Sequence, residues 1–313
     1  MAILYMLIGL PAAGKSTYAR KMADQFGNVE VVSSDAIREM LYGDGGFTKS
    51  EQAVVFEQVH KEVIGLLKNN WDVIYDATNL IRKYRIEFLR KLEGIDCQKR
   101  AILFMNTVEN LRVINAKREK PVPDDIYNRM LRLFDPPAHY EGFDYIDIRW
   151  PEGHYSLFPY DDPGILKFID HENHHHRLSI GDHMEKANEV FREIWGSSHL
   201  SAREAVKYHD IGKPFVKTFA NYKGEKTDEA HYYQHENVGS YLYLLIAHEQ
   251  LHRTNSEALY ISQLINWHMR PINIWRKSPK AMQKDRLLIG TEMFGDLIRM
   301  YVADVLSEEE CNE

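Results

Sequence analysis

A chain of 313 residues, 44% hydrophobic and 27% charged, has room for one large or two ordinary domains around a buried core, and its globular composition excludes a disordered protein. Its net charge of -7 falls in the second part: residues 1–150 hold 21 Lys/Arg and 21 Asp/Glu, the rest 18 and 25, which argues against a broad electrostatic grip on long nucleic acid but not against a short groove for one strand end. The 2 cysteines, Cys97 and Cys311, argue against a disulfide scaffold or a thiolate metal site.

The chain opens on "MAILYMLIGL", which runs straight into a glycine-rich loop and reads as a buried strand rather than a cleavable leader. With no long apolar run, the expected location is cytoplasmic, without a membrane partner. "VEVVS", "DVIYDAT", "RAILFM" and "FDYIDI" are further short strand signals, separated by stretches of helical periodicity. Alternating strands and helices predict a parallel sheet covered on both faces.

Between the first strand and the first helix lies "GLPAAGKST", a G-x-x-x-x-G-K-S loop. Its backbone amides at Gly9, Ala12, Ala13, Gly14, Lys15, Ser16 and Thr17 form the expected cradle for ATP or another NTP. Lys15 adds mobile positive charge, and Ser16 is a candidate Mg2+ ligand. Asp35 and Asp76 follow strands and so emerge at the carboxyl edge of the sheet, where ligands bind. Asp35 shares a helical face with Arg38, an arrangement that suits a base beside a phosphate-gripping cation; a helix cap and a solvated charge are the plainer readings. The basic, proline-broken stretch "NLRVINAKREKPVPDDIYNRMLRLF" fits a mobile lid that carries arginine to the phosphoryl group.

"GLPAAGKST", "SSDAIREML", "YDATN" and "NAKREKPVPDDIYNRM" together resemble the polynucleotide 5'-kinase family of P-loop phosphotransferases, over almost all of residues 1–150. The resemblance implies ATP and Mg2+ at Lys15 and Ser16, a general base at Asp35, an acceptor-phosphate contact at Arg38 and a catalytic, nucleotide-contacting lid arginine at Arg118. It also implies that Asp76 supports the acceptor or metal-bound water. A second lid arginine of the family falls on Ile114, with Arg112 as a neighbouring substitute for substrate contact. A kinase of a nucleoside, sugar or other small molecule stays open as an alternative.

Residues 151–173, with three prolines and little periodicity, read as a linker, and helical patterns fill the chain from about Ile180 to Leu306. Within them stands "YHDIGKP", an adjacent His209–Asp210 pair, with His183, His235, His268 and Asp304 on four other helical segments. Nitrogen and carboxylate ligands without sulfur suit one or two ions of Mn2+, Fe2+, Co2+, Ni2+ or Zn2+, which hydrolyse phosphate esters. Asp296 rivals Asp304 as the carboxylate, with the tighter "VAD" context favouring Asp304, and Lys213 fits either a phosphate contact or a solvated or capping lysine. The tract "HENHHHRLS" offers His174, His175 and His176 as phosphate contacts or as a solvated segment.

The pattern of His183, His209, Asp210 and Asp304 resembles the HD phosphohydrolase superfamily, whose members with two metals add histidines in the places of His235 and His268. "HDIGKP" with "QHENVG" is most similar to the HD domains of nucleotidyltransferases that act on transfer RNA ends. The expected fold is therefore an α/β P-loop kinase domain with parallel sheet and helical lid at 1–150, a linker at 151–173, and an all-α HD-type metal-dependent phosphohydrolase domain at 174–313. The pairing implies healing of RNA or DNA ends, with RNA favoured. One half would phosphorylate a 5'-OH and the other would hydrolyse a 2',3'-cyclic phosphate or 3'-phosphate, leaving sealing to a separate ligase. A nucleotide phosphohydrolase, or a helical domain that only binds nucleic acid, is the alternative for the second half.

Overall fold

The computed structural model describes residues 1–43, 48–151, 163–172 and 178–309; His174–His176 and Cys311 lie outside the described residues. The chain divides into two compact units, one of Met1–Met130 with Pro137–Gly153, the other of Leu131–Pro136 with His154–Glu313.

The first unit runs β1 (Ala2–Ile8), α1 (Lys15–Gln25), β2 (Val29–Ser33), α2 (Ser34–Tyr42), α3 (Lys49–Lys68), β3 (Asp72–Asp76), α4 (Arg82–Arg90), β4 (Cys97–Phe104), α5 (Val108–Ala116), α6 (Asp124–Leu131) and β5 (Tyr145–Arg149). Its sheet has the order β2-β3-β1-β4-β5 and every pairing is parallel. β1 lies in the middle, which is why it reads as an unbroken apolar run: Leu4, Met6, Leu7 and Ile8 have no exposed surface. From β1 the chain crosses to the edge strand β2, and from β3 it crosses the other way to β4. The crevice between β1 and β3 is thus a topological switch point, and the loop after β1 and the end of β3 both open onto it.

Arg85 of α4 is fully buried and forms a two-pronged pair with Glu141, each contact 2.7 Å. Its remaining guanidinium nitrogen donates to the carbonyls of Asn79 and Leu80 at 2.9 Å. A buried ion pair is tolerable only with its hydrogen bonds filled in this way. It ties the "YDATN" turn after β3 to the segment leading into β5.

The second unit runs α7 (Ile180–Trp195), α8 (Leu200–Tyr208), α9 (Lys213–Val216), β6 (Thr218–Ala220), β7 (Lys226–His231), α10 (His235–Glu249), α11 (Asn255–Trp267) and α12 (Pro279–Glu309). α12 breaks at Gly290, whose backbone is non-helical at φ 81 and ψ 170. The scaffold is helical, as its sequence predicts, with one small antiparallel hairpin, β6-β7, added. α10 is apolar almost all round because it is central, with Tyr241, Tyr243 and Leu244 fully buried. The "HDIGKP" turn meets it so closely that a Cβ on Gly212 would lie 2.1 Å from the His235 carbonyl. That glycine lets the His209–Asp210 pair approach the first residue of α10. Among the described residues no helix is long and apolar enough to cross a membrane.

Candidate active sites

The glycine-rich loop leaves β1 at Gly9, which has φ +152; a Cβ there would come within 2.9 Å of the Phe104 carbonyl oxygen. Ala12 takes the left-handed conformation at φ 65, and Gly14 does the same at the N-cap of α1. No side chain caps α1 and its first turn carries no acidic residue, so its amides and dipole are suited to an anion. Ser16 and Thr17 are exposed on that turn, whereas Lys15 is buried and donates to the carbonyls of Gly9 at 3.0 Å and Leu10 at 2.8 Å. Burial lowers the Lys15 pKa to about 8, with Arg118 adding to the effect and Asp76 and Asp35 opposing it.

Asp76 ends β3, paired in register with Ser33 at the end of β2. Burial raises its pKa despite a hydrogen bond from Ser16 and the nearby Lys15. Asp35 lies in the first turn of α2, but the cap is Ser33, whose hydroxyl accepts from the Ala36 amide. Asp35 is instead exposed and ion-paired with Arg38. Lys15, Ser16, Asp35 and Asp76 therefore share one edge of the sheet.

The lid is formed by α5, α6 and the turn between them. Asn115, buried at the end of α5, clamps that turn by donating to the Val122 carbonyl at 2.8 Å and accepting from its amide at 3.0 Å. Arg118 is exposed on the clamped turn and its charge acts on Lys15. Arg112 donates to Asn128 of α6 at 2.7 Å, and Ile114 is exposed. Tyr127 of α6, fully buried, donates to the Pro11 carbonyl of the loop at 3.4 Å.

In the helical unit, His183 of α7, the His209–Asp210 pair after α8, His235 at the start of α10, and His268 just past α11 are all buried. They form two clusters, His183–His209–Asp210 and Asp210–His235–His268, each with its ligand atoms within 4.8 Å of one another. Asp210 belongs to both and divides its oxygens between them. Oδ2 lies 3.3 Å from His209 Nε2 and 3.6 Å from His183 Nε2; Oδ1 lies 3.1 Å from His235 Nε2 and 3.9 Å from His268 Nε2. Asp304 of α12 joins the first cluster, 3.0 Å from His183 and 3.4 Å from His209. Asp296 lies apart from it, accepting from Tyr260 at 2.7 Å and Arg299 at 3.1 Å.

The ring orientations are fixed from outside. The Nδ1 atoms of His209, His235 and His268 each meet a main-chain carbonyl, of Val206, Tyr232 and Ile265, at 2.7, 2.8 and 2.7 Å. A carbonyl only accepts, so each Nδ1 carries the proton and, in the neutral ring, Nε2 keeps its lone pair facing inward. His209 Nε2 is buried without a hydrogen-bond partner. Asp210 and Asp304 outweigh the burial that opposes them and raise the His209 pKa to about 10, while burial beside His235 and His209 lowers that of His268 to about 3. The buried, sulfur-free donor set with an orphaned inward nitrogen fits divalent transition metal.

Lys213, in the first turn of α9, contacts Asp210 Oδ2 at 2.6 Å and is 3.2 Å from His171 Nε2. His171 is fully buried, and its carbonyl accepts from the Tyr232 hydroxyl. Neither His171 nor Tyr232 stands out in the sequence: the first is masked by the histidine tract it begins, the second by an ordinary "HYYQH".

An AAA-domain family model matches residues 4–137, in keeping with the P-loop NTPase-like build of the first unit. No curated protein matches the chain. Among solved structures, that of a Pnkp1/Rnl/Hen1 complex is 29% identical over 38% of this chain and 40% of the other, with a TM-score of 0.35. A Pnkp1/Rnl/Hen1 RNA repair complex is 30% identical over 41% of this chain and 42% of the other, with a TM-score of 0.37. The matched region thus spans about two fifths of the length of these chains. Kti12 of Chaetomium thermophilum, in complex with ADP-AlF3, is 16% identical over 48% of this chain and 90% of the other, with a TM-score of 0.41. A P-loop domain and a helical domain with two His/His/Asp clusters, matching an HD-type phosphohydrolase fold, therefore stand in one chain.

Proposed function

We propose that the chain heals nucleic-acid ends, RNA ends above all, by phosphorylating a 5'-hydroxyl in the first unit and hydrolysing a 2',3'-cyclic phosphate or 3'-phosphate in the second. The observation that carries this reading is the presence, in one chain, of a phosphate loop edged by Asp35 and Arg38 and a buried centre whose two clusters share Asp210. Cleavage of RNA through its 2'-hydroxyl leaves a 5'-hydroxyl and a cyclic phosphate, and each unit is suited to one of these ends.

In the first unit Lys15 and the loop amides hold the triphosphate of ATP, with Ser16 and Asp76 as the groups that would hold Mg2+. Arg38 grips the acceptor phosphate. The 5'-oxygen attacks the γ-phosphorus, the bond to the β-phosphate oxygen breaks, ADP leaves, and the hydroxyl proton passes to Asp35. Arg118 on the lid neutralises charge on the transferring group. In the second unit His183, His209, His235, His268, Asp210 and Asp304 would hold one or two transition ions. Such an ion supplies Lewis-acid chemistry, drawing charge from a phosphoryl oxygen and making water more acidic. Lys213 steadies the phosphate. Water adds to phosphorus, one ester P–O bond breaks, and a proton goes to the departing ribose oxygen. Sealing of the healed ends falls to a separate ligase.

The test is a panel of 5'-OH oligonucleotides ending in 3'-OH, 3'-phosphate or 2',3'-cyclic phosphate, assayed with and without ATP and divalent metals, alongside mononucleosides. Asp35→Asn is expected to abolish transfer while leaving ATP affinity largely intact, and Asp210→Ala to remove only the 3' reaction. Phosphorylation confined to mononucleosides, or normal turnover by Asp35→Asn, would refute the respective assignment.

A further inference from the structure

Tyr222, in the turn of the β6-β7 hairpin, is 89% exposed and meets Tyr233 edge-on, with ring centroids 5.8 Å apart. Tyr233, itself exposed, stacks almost parallel on His231 at 5.4 Å with an interplanar angle of 10°. β7 ends at His231, and in the turn that follows Tyr233 folds back onto His231 while Tyr232 turns toward Lys213 and His171. The inner ring, Tyr232, lies under Lys213 at 5.6 Å and donates to the His171 carbonyl, so it lines the metal centre. The outer rings form a surface ladder only two residues ahead of His235, a chain distance of about 7 Å at most.

We infer that Tyr222, Tyr233 and His231 are a stacking platform for the bases that precede the terminal phosphate of a single-stranded substrate. The inference rests on the end-healing reading of the metal centre. Charge points to stacking as the means of capture: residues 151–313 hold 25 acidic and 18 basic side chains, a poor footing for gripping a polyanion. Aromatic faces hold bases regardless of sequence, and each stacked base is worth about five- to 150-fold in affinity. The hairpin would thereby make the second unit prefer a strand end to a mononucleotide.

The experiment uses the full chain, loaded with metal, and two 10-mers ending in 2',3'-cyclic phosphate: one normal, one abasic at the three nucleotides before the last. The double variant Tyr222→Ala/Tyr233→Ala is expected to raise KM for the normal 10-mer about tenfold or more with the turnover rate retained, and to leave the abasic 10-mer unaffected. The wild type should show the same penalty on the abasic strand, and Tyr222→Phe/Tyr233→Phe should behave as wild type, which separates stacking from misfolding. An unchanged KM on the normal strand, or an equal loss on both strands, overturns the platform. In parallel, 5-iodouracil next to the terminal nucleotide is crosslinked and mapped. A crosslink at Tyr222 or Tyr233 without hydrolysis upholds the platform and removes the end-phosphate reading. Hydrolysis with neither crosslink nor KM effect does the reverse.

Discussion

Replacing Asp210 with asparagine keeps the shape of the side chain and removes its charge from both histidine clusters at once. Wild-type protein reconstituted with Mn2+ or Co2+ is expected to hold two ions per chain, because each Asp210 oxygen faces its own pair of histidines. His268→Ala touches the second cluster alone and should leave one ion; Asp210→Asn should leave none. The metal-free proteins should differ as well. Losing Asp210 strands the buried Lys213, now 2.6 Å from its counter-charge, and breaking such a pair costs about 3–5 kcal/mol. At about 2–4 °C per kcal/mol for a unit of this size, the melting temperature should fall by roughly 6–20 °C. Saturating metal, at a hundredfold excess over Kd, adds about 2.7 kcal/mol per independent site to the wild type, half that total to His268→Ala and nothing to Asp210→Asn. Elemental analysis of dialysed protein and calorimetry with and without metal give both quantities. Retention of a tightly held ion by Asp210→Asn, or a metal-free melting temperature equal to wild type, would refute the shared role of this carboxylate.

Gly9→Ala places a Cβ 2.9 Å from the Phe104 carbonyl at a positive φ, so the loop must shift; titration calorimetry should show ATP binding weakened about tenfold or more, and unchanged affinity would show the approach to be relaxed. Asn115→Ala removes both hydrogen bonds that clamp the Arg118 turn, at about 1 kcal/mol each, and is expected to slow phosphoryl transfer at saturating substrate about tenfold with ATP affinity changed far less; an equal effect on both would contradict a lid role. His60, partly buried and stacked on Phe88 at 4.5 Å, has its pKa lowered to about 4 by burial, with Lys91 adding. The folded state thus keeps a neutral ring that the unfolded chain protonates near pH 6.5, so this stability is complete above that pH and drains away as pH falls toward 4. Urea unfolding at pH 7 and pH 5 should show wild type losing on the order of 1 kcal/mol more than His60→Phe, after discounting for the ring's partial exposure; equal losses would dismiss His60 as the titrating group.

The parallel sheet was legible because burial on both faces writes itself as apolar runs, and the phosphate loop because its glycines, lysine and serine are contiguous. The histidine and aspartate residues of the helical unit could be named as candidates from their types. Which of Asp296 and Asp304 reaches the cluster depends on packing: Tyr260 and Arg299 engage the former, while the latter faces His183. The β6-β7 hairpin escaped because "TFA" is three residues long and "KTDEAH" shows no apolar alternation; its turn is held by Asn221, which accepts from the Lys223 and Glu225 amides, and by Gly224 at φ 83. Arg85 and Glu141 escaped because 56 residues separate two charges that would ordinarily be placed on the surface.

Val206, Tyr232 and Ile265 each stand three residues ahead of the histidine they orient, and each orients it through its carbonyl. The groups that orient His209, His235 and His268 are therefore written in no side chain. Substitution at those positions cannot delete the acceptor, since every amino acid brings one, and each of these histidines owes its tautomer to its own local turn rather than to a distant helix. The packing of the helices brings these nitrogens together around the carboxylates of Asp210 and Asp304. Transplanting the centre to another helical scaffold would accordingly mean moving four-residue turns rather than isolated histidines.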